Sequence, residues 1–273
     1  MKSPLISATS LLRSLVAMAA VAALAPTAHP QEPRLANISA RALSGTGPSV
    51  LTLGFVIGPG PNKPVLIRAV GPTLTGFGVA GALADPVLTV FNSANAIIAT
   101  NNDWGTPLGA SGVPAAELSA AFARVGAFSL GATSRDSAVI VTLPPGNYTA
   151  QVAGTGTSTG VALAEVYEIG NTGAKLLNTS TRLTISAASS PIIGMVVAPG
   201  TGTRKLLVRA SGPALAAFGL TGTLADPTIR ITNSLGTTLA SNDNWGTPSD
   251  TRAADTLGLT NAFALAGAFA FSA

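Results

Sequence analysis

Cysteine is absent from this chain of 273 residues, and histidine occurs once, as His29. The lack of cysteine excludes disulfides, thiolate nucleophiles and cysteine-ligated metal sites. His29 lies at the end of a predicted leader segment, so neither a Ser-His-Asp triad nor a histidine-ligated zinc site can form in the folded part. The sequence therefore predicts a protein that is not an enzyme and has no resident cofactor.

Charge is also scarce, since charged residues make up 10% of the chain and aromatic residues 5%, whereas apolar residues reach 47%. The chain contains 30 glycines and 19 prolines. Such a composition is typical of an all-β fold with many short strands. The net charge of +4 falls to +2 without Lys2 and Arg13, which lie in the leader. The basic residues form no stripe, which excludes a nucleic-acid partner.

No apolar run is long enough to span a bilayer, which takes ~20 residues. The longest, from Leu15 to Ala25, follows Lys2 and Arg13 and is followed by small residues. This order is typical of a secretory signal peptide. We predict a signal peptide over residues 1–28 and a linker over 29–34, with cleavage between about residues 25 and 30. The mature chain is then secreted or held at the cell surface, with no transmembrane segment.

The sequence contains a long internal repeat. The stretch Arg68–Pro107 recurs without a gap as Arg209–Pro248, 141 positions later, with Gly-Pro, Leu-Ala-Asp-Pro and Trp-Gly-Thr-Pro in both copies. A repeat of this length is a folding unit used twice, since solenoid periods are ~20–50 residues. The sequence predicts a first unit over residues 35–170 and a second over 171–273.

Short apolar runs separated by turn signals predict the strands of each unit. Leu118, Phe122 and Val125 recur at helical spacing and predict one short helix between Pro114 and Gly126. The expected fold is two tandem jelly-roll-like β-sandwiches with one short helix each. The predicted strands are Val50–Ile57, Val65–Val70, Val87–Phe91, Ile97–Thr100, Ala127–Leu130, Ser137–Leu143, Tyr148–Val152 and Val161–Ile169, and in the second copy Pro191–Val197 and Leu206–Ala210.

The second unit is shorter than the first. Ala273 is the counterpart of Ala132, so the last three predicted strands of the first unit have no counterpart in the second. Those strands show clear apolar alternation and should be central to a sandwich. We therefore expect that the sequence is a fragment of a longer protein and that the second unit by itself exposes open strand edges.

The segment from Asp136 to Gly154 reads DSAVIVTLPPGNYTAQVAG and follows a hairpin that ends in Asn101-Asn102-Asp103. It resembles the bacterial pre-peptidase C-terminal domain, a jelly-roll-like sandwich carried as an accessory module by secreted enzymes and surface proteins. The whole unit is also similar to tandem repeat modules of large secreted bacterial proteins. The resemblance implies a fold and an accessory or surface role, and it brings no catalytic residue.

Two polar clusters are candidate calcium sites, since calcium binds carboxylate and amide oxygens. In the alternative interpretation these residues form Asx turns at a hairpin end. Each cluster is followed by a tryptophan, a candidate platform for stacking a sugar, whose alternative role is half-buried core. The residues are Asn101, Asn102, Asp103 and Trp104 in the first copy and Asn242, Asp243, Asn244 and Trp245 in the second.

Arg68 lies within an apolar strand, where a buried guanidinium must be paired. Asp85, in the rigid Ala-Asp-Pro turn, is a suitable bidentate acceptor. The sequence predicts a structural ion pair between Arg68 and Asp85, repeated as Arg209 with Asp226.

The function that fits these features is a non-catalytic, exported β-sandwich repeat module of a surface, adhesion or spacer type in a larger secreted protein. Two alternatives stay open. One is an accessory domain of a secreted hydrolase whose catalytic domain lies outside this chain, and the other is a carbohydrate- or calcium-binding module. The expected partners are a polysaccharide or a cell-surface protein.

Overall fold

A computed structural model describes residues 32–106, 112–170, 173–185, 191–247 and 255–271. The predicted signal peptide and most of the linker lie outside these residues. No described helix is long and apolar enough to cross a membrane. The strands are β1 Arg34–Ser44, β2 Leu51–Ile57, β3 Lys63–Val70, β4 Pro86–Asn92, β5 Ile97–Asn101, β6 Ser137–Leu143, β7 Gly146–Gly154, β8 Gly160–Glu168, β9 Leu176–Arg182, β10 Ile192–Ala198, β11 Ile229–Thr232 and β12 Thr238–Asn242, and the helices are α1 Ala115–Val125 and α2 Thr256–Leu265. Short 3-10 helices occupy Gly47–Ser49, Pro72–Phe77 and Pro213–Phe218.

Ten of these strands form one antiparallel sheet in the order β5-β4-β7-β2-β9-β1-β8-β3-β6, with β10 added on β1. The sheet curves until it is nearly closed into a barrel. Its two ends meet where the Ala138 amide of β6 donates to Asn101 Oδ1 at 3.0 Å and Ser137 Oγ donates to the Asn101 carbonyl at 3.0 Å. The prediction of an all-β fold is confirmed. Strands β11 and β12 form a separate hairpin.

The core follows from the period-two alternation of the strands. In β2 every second residue, from Leu51 through Leu53 and Phe55 to Ile57, is buried, and the residues between them are half-buried. These side chains belong to the larger apolar cluster of the sheet. A smaller cluster, which contains Phe122 of α1, packs helix α1 against β3, β6 and β8.

The two copies of the repeat exchange strands. β9 and β10 belong to the second copy, yet β9 pairs with β2 and β10 pairs with β1. Ser39 lies opposite Gly194, and Ser180 lies opposite Gly54. Ser180 is the counterpart of Ser39, and Gly194 is the counterpart of Gly54, since the repeat is one residue shorter at this point. The first strand of each copy therefore pairs with the second strand of the other copy in the same register, and we call this the strand exchange.

The strand exchange changes the meaning of the predicted domain boundary. Residue 170 separates the two copies in sequence, but the sheet continues across this boundary through β9 and β10. The two copies therefore contribute strands to one sheet. Leu176 of β9 is 1% exposed and packs in the same cluster as the first copy's apolar residues.

Most predicted elements of the first copy are present. The predicted hairpin is β4–β5 and the predicted helix is α1. Two predicted strands, Ala127–Leu130 and Leu206–Ala210, are wrong. The Phe128 carbonyl accepts a hydrogen bond from Arg68 and not from a neighbouring strand. Residues 206–210 are the counterpart of β3, which pairs with β6 and β8, and no strand of the described second copy occupies those positions.

The repeated Gly-Pro pair has a steric explanation. A Cβ on Gly71 would lie 2.1 Å from the Leu83 carbonyl oxygen, and a Cβ on Gly212 would lie 1.9 Å from the Leu224 carbonyl oxygen. Backbone and Cβ atoms do not approach this closely, so only glycine fits at either position. The chain thus folds back on itself in the same way in both copies.

Candidate functional site

Arg68 is fully buried in the middle of β3. It donates from Nε and Nη2 to Glu165 Oε2 at 2.8 and 2.5 Å, and from Nη1 to the Phe128 carbonyl at 2.6 Å. Glu165 lies directly opposite Arg68 in the β3–β8 ladder. A buried charge requires such pairing, because removing one partner strands the other without solvent.

The predicted ion pair between Arg68 and Asp85 is wrong. Asp85 Oδ2 lies 3.0 Å from Nη1 of Arg135, whose side chain is 67% exposed. The partner of Arg68 is decided by strand register, which places Glu165 opposite it although 97 positions separate them in sequence. No local pattern in the sequence shows that β3 and β8 are neighbours.

Three aromatic rings surround the Arg68 guanidinium. Its Cζ lies 4.3 Å from the centre of the Phe128 ring, 5.0 Å from that of Phe122 and 5.8 Å from that of Tyr167. Rings within about 6 Å of a cation attract it. The Tyr167 hydroxyl donates to Glu165 Oε1 at 2.7 Å. We call these five residues the first cage.

The first cage predicts an alkaline limit to stability. Burial and then the negative charge of Glu165 raise the pKa of Tyr167 above its ordinary value of 10.0, and burial also raises the pKa of Tyr148. Because the folded pKa exceeds the unfolded one, folded chains hold these protons after unfolded chains have lost them. Stability should therefore be undiminished below pH 10 and fall as the pH rises above it.

Ultraviolet absorbance of tyrosinate measures this directly, since Tyr148 and Tyr167 are the two tyrosines of the chain. In native protein the absorbance should rise at higher pH than in denatured protein, and together with loss of structure. Tyr167→Phe is the matched control and should leave one delayed titration. A native titration that overlays the denatured one would contradict the burial of both phenols.

A second buried carboxylate, Glu168, connects the two copies. Its Oε2 accepts from Arg34 Nε at 2.9 Å and lies 3.6 Å from Lys63 Nζ. Its Oε1 accepts from the Leu176 backbone amide of β9 at 2.7 Å. Glu165 and Glu168 therefore serve separate ion pairs, and Glu168 joins β8 to three other strands at one point.

The second copy also places three aromatic rings around Arg209, and two of them, Phe263 and Phe269, are the counterparts of Phe122 and Phe128. Its Cζ lies 4.7 Å from the ring centre of Phe263 and 4.4 Å from those of Phe269 and Phe271. Its Nη1 donates to the Phe269 carbonyl, as Arg68 does to the counterpart in the first copy. Burial lowers the pKa of Arg209. We call these four residues the second cage.

The predicted ion pair between Arg209 and Asp226 is also wrong. Among the residues that the structure describes, no carboxylate lies within ion-pair distance of Arg209. The counterpart of Asp226 in the first copy, Asp85, likewise pairs elsewhere. In the described part of the chain, the second cage thus has a cation and its rings but no counterpart of the acid Glu165.

The first Asn-Asp cluster holds the hairpin end. Asn101 is buried, its Nδ2 donates to the Asp103 carbonyl at 3.2 Å, and its Oδ1 accepts from the Ala138 amide at 3.0 Å. Asn102 Oδ1 accepts from Thr155 Oγ1 at 3.4 Å. The amide oxygens of Asn101 and Asn102 are therefore engaged within the protein. Neither accepts from the backbone amide two residues on, as an Asx turn requires, so the cluster ties the hairpin end to β6 and to Thr155 instead.

The second cluster is more exposed. Asn242 Nδ2 donates to the Asn244 carbonyl at 3.2 Å, and Asn244 Nδ2 donates to Asp243 Oδ2 at 3.2 Å. In the described part of the chain, no three His, Cys, Asp or Glu side chains come together as metal ligands would. Calcium binding at either cluster stays a prediction.

The two tryptophans lie among aromatic side chains. Trp104 is 6% exposed, its Nε1 donates to the Gly131 carbonyl at 3.0 Å, and its ring centre lies 5.5 Å from that of Phe122. Trp104 is therefore part of the smaller apolar cluster, the alternative role given above. Trp245 is half-buried, with its ring centre 5.8 Å from that of Phe263.

Sequence reasoning missed the role of Asp136, which is fully buried. Its carboxylate accepts from the Gly71 amide at 2.6 Å, from Ser134 Oγ at 2.5 Å and from Thr73 Oγ1. It joins the start of β6 to the Gly-Pro turn after β3. The only sequence signal for it was a carboxylate beside an apolar strand.

Searches of family models, curated proteins and solved structures found no match to this chain. Its function must therefore be argued from its own geometry. The buried charges of the described residues join strands to each other: Arg68 joins β3 to β8, and Glu168 joins β8 to β1, β3 and β9.

Proposed function

We propose that this chain is a non-catalytic, exported repeat module that acts as a spacer or surface element of a larger secreted protein. The observation that supports this proposal is the strand exchange. In a module of this kind the useful property is a defined spacing between successive copies. Two copies that share one sheet keep a fixed spacing, whereas copies joined by a flexible linker do not.

Because of the strand exchange, the two copies contact each other over many residues, whereas a linker would join them at one point. β1 and β10 pair over seven positions, from Arg34 with Ala198 to Arg41 with Ile192, and β2 and β9 pair over six. Glu168 adds a buried hydrogen bond to the Leu176 amide across the same boundary. Export depends on the predicted signal peptide, and adhesion to a polysaccharide or a cell-surface protein is the corresponding proposal for the partner.

A designed disulfide tests the strand exchange and the fixed spacing together. The chain has no cysteine, so a pair of cysteines reacts without background. A Cβ on Gly194 would lie 3.9 Å from Ser39 Cβ, within the ~3.5–4.5 Å range of disulfides. We expect the two cysteines of the Ser39→Cys, Gly194→Cys variant to form a disulfide within one molecule, which the mass of the intact protein will measure. Small-angle X-ray scattering should give the same radius of gyration before and after oxidation.

The matched control is Ser39→Cys with Gly54→Cys. Gly54 is the counterpart of Gly194, so this pair reports the alternative in which each copy pairs its own first two strands. In the strand exchange Ser39 lies opposite Gly194 of β10 and Gly54 lies opposite Ser180 of β9. Strands of the second copy thus occupy the positions where β1 and β2 would face each other, so the two cysteines are not cross-strand neighbours and lie beyond disulfide reach. Oxidation of the control pair, or marked compaction when the first pair is oxidised, would overturn the proposal of a fixed spacer.

A further inference from the structure

Among the residues that the structure describes, the second copy leaves two strand edges open that the first copy covers. In the first copy β7 pairs with β2 and β8 pairs with β1. The counterpart of β2 in the second copy is β10, and the counterpart of β1 is β9. In the described residues β10 pairs with β1 alone, and β9 pairs with β2 and touches β1 at one position. An open edge presents backbone groups ready to pair with another strand.

Apolar side chains line the open part of β10. Ile193 and Val197 are 42% and 38% exposed, whereas their counterparts Leu53 and Ile57 are 0% and 1% exposed. The second copy therefore has the residues of a core without the cover that buries them in the first copy. Contiguous exposed apolar surface of this kind marks an interaction site.

The positive charge of Arg209 on this surface indicates that the partner carries a negative charge. Arg209 is the counterpart of Arg68, which receives Glu165 from β8. The second cage already holds its guanidinium between aromatic rings and on a carbonyl, and it lacks the acid among the described residues. The partner must therefore bring a carboxylate on the strand that takes the place of β8.

A second charge position supports the same partner. Lys175 and Arg204 are the counterparts of Arg34 and Lys63, both of which meet Glu168 in the first copy. In the second copy Lys175 Nζ lies 3.7 Å from Glu32, an exposed carboxylate from before β1. A segment shaped like β8 would place a second glutamate between Lys175 and Arg204, three residues after the first.

We propose that the open edges of β9 and β10, together with the second cage, form a docking surface for a three-stranded segment of the same repeat type. The segment has the pattern of β6, β7 and β8 and carries glutamates at the positions of Glu165 and Glu168. A single β-strand would pair with one of the two edges and leave the other open. This inference extends the proposed function and depends on its strand exchange.

The test uses the mature chain and a synthetic segment Asp136–Gly170 as the probe. We expect the segment to bind and to slow hydrogen exchange of backbone amides in β9 and β10 by about 10-fold or more, because those amides gain partners. Amides of β2 and β1, which are already paired, should change little. If the free segment aggregates, the same residues from Thr133 onward are added after Ala273, where the repeat places them.

Two matched variants test the charge requirement. A segment with Glu165→Gln and Glu168→Gln should bind about 30-fold more weakly or worse, since a buried charge pair loses one partner. Arg209→Gln in the mature chain should weaken the original segment similarly. Combined with Ser39→Cys and Gly194→Cys, each variant should still allow these two cysteines to form a disulfide. Failure of docking is therefore distinguishable from failure of the strand exchange.

Other outcomes overturn the proposal. Binding that protects the β5 or β6 edge, or that is indifferent to both charge variants, would place the segment elsewhere. Protection of β9 and β10 in the mature chain alone, with a mass twice that of the monomer, would mean that a second copy of the chain covers this surface. An absence of binding both in trans and as the extension would show that the surface is not a docking site.

Discussion

Replacing Arg68 with alanine should cost on the order of 3–5 kcal/mol of unfolding free energy, because it leaves Glu165 buried without its counter-charge. Both side chains are almost inaccessible, at 0% and 6% exposure. The variant also empties the space between the three rings of the first cage. Denaturant unfolding of the mature chain measures the loss from the midpoint at unchanged slope.

Two further variants separate the ion pair from simple loss of volume. Arg68→Ala with Glu165→Ala should recover part of the loss, because no charge is then stranded. Arg209→Ala is the matched control in the second copy. It should cost about 1 kcal/mol or less, since Arg209 is half-exposed and its ring contacts are weak by themselves. Strictly additive single losses, or equal losses for Arg68 and Arg209, would contradict the assigned pairing.

A chain shortened to end at Gly170 should lose about 5 kcal/mol or more of stability. It loses β9 and β10 and thereby the ladder partners of β2 and β1, at about 0.5–1.5 kcal/mol for each hydrogen bond. It also loses Leu176, whose burial contributes about 1.5–3 kcal/mol. Total stabilities are about 5–15 kcal/mol, so this shortened chain should be marginal or unfolded at room temperature.

The matched comparison is a chain that ends at Thr201 and keeps both exchanged strands. It should melt cooperatively, close to the transition of the full mature chain. Thermal unfolding of both shortened chains, followed by circular dichroism, compares their stabilities. The sequence alone predicts residues 35–170 as one folding unit. If a chain that ends at Gly170 is stable and unfolds cooperatively, the first unit folds without the second, and the strand exchange contributes little to stability.

Local signals in the sequence were sufficient for most elements of the first copy. Alternating apolar residues gave β2 and β7, and the spacing of Leu118 and Phe122 gave α1. The β4–β5 turn was readable because Asn92 caps it through Ala94 and Ala96, and the left-handed position is taken by Asn95. The second copy places Gly236 there, with φ of 79°. Such features depend on neighbours within a few residues.

The ion-pair partners could not be predicted in this way. Arg68 was correctly expected to be buried and paired, since a charge within an apolar strand requires it. Its partner was wrong because the choice between Asp85 and Glu165 depends on which strands are adjacent in the sheet. Adjacency of β3 and β8 is set by the fold as a whole and leaves no mark on the residues around Arg68.

The sequence by itself determined that the chain is all-β, that residues 68–107 recur as residues 209–248, and that Arg68 needs an acid. Only the tertiary structure decided which copy supplies each strand. Pairing within a copy and pairing between copies place the same kinds of residue opposite each other, as Ser39 with Gly54 or with Gly194. Because backbone hydrogen bonds and cross-strand contacts are then equivalent, local sequence cannot distinguish the two arrangements. The packing of the whole sheet decides between them.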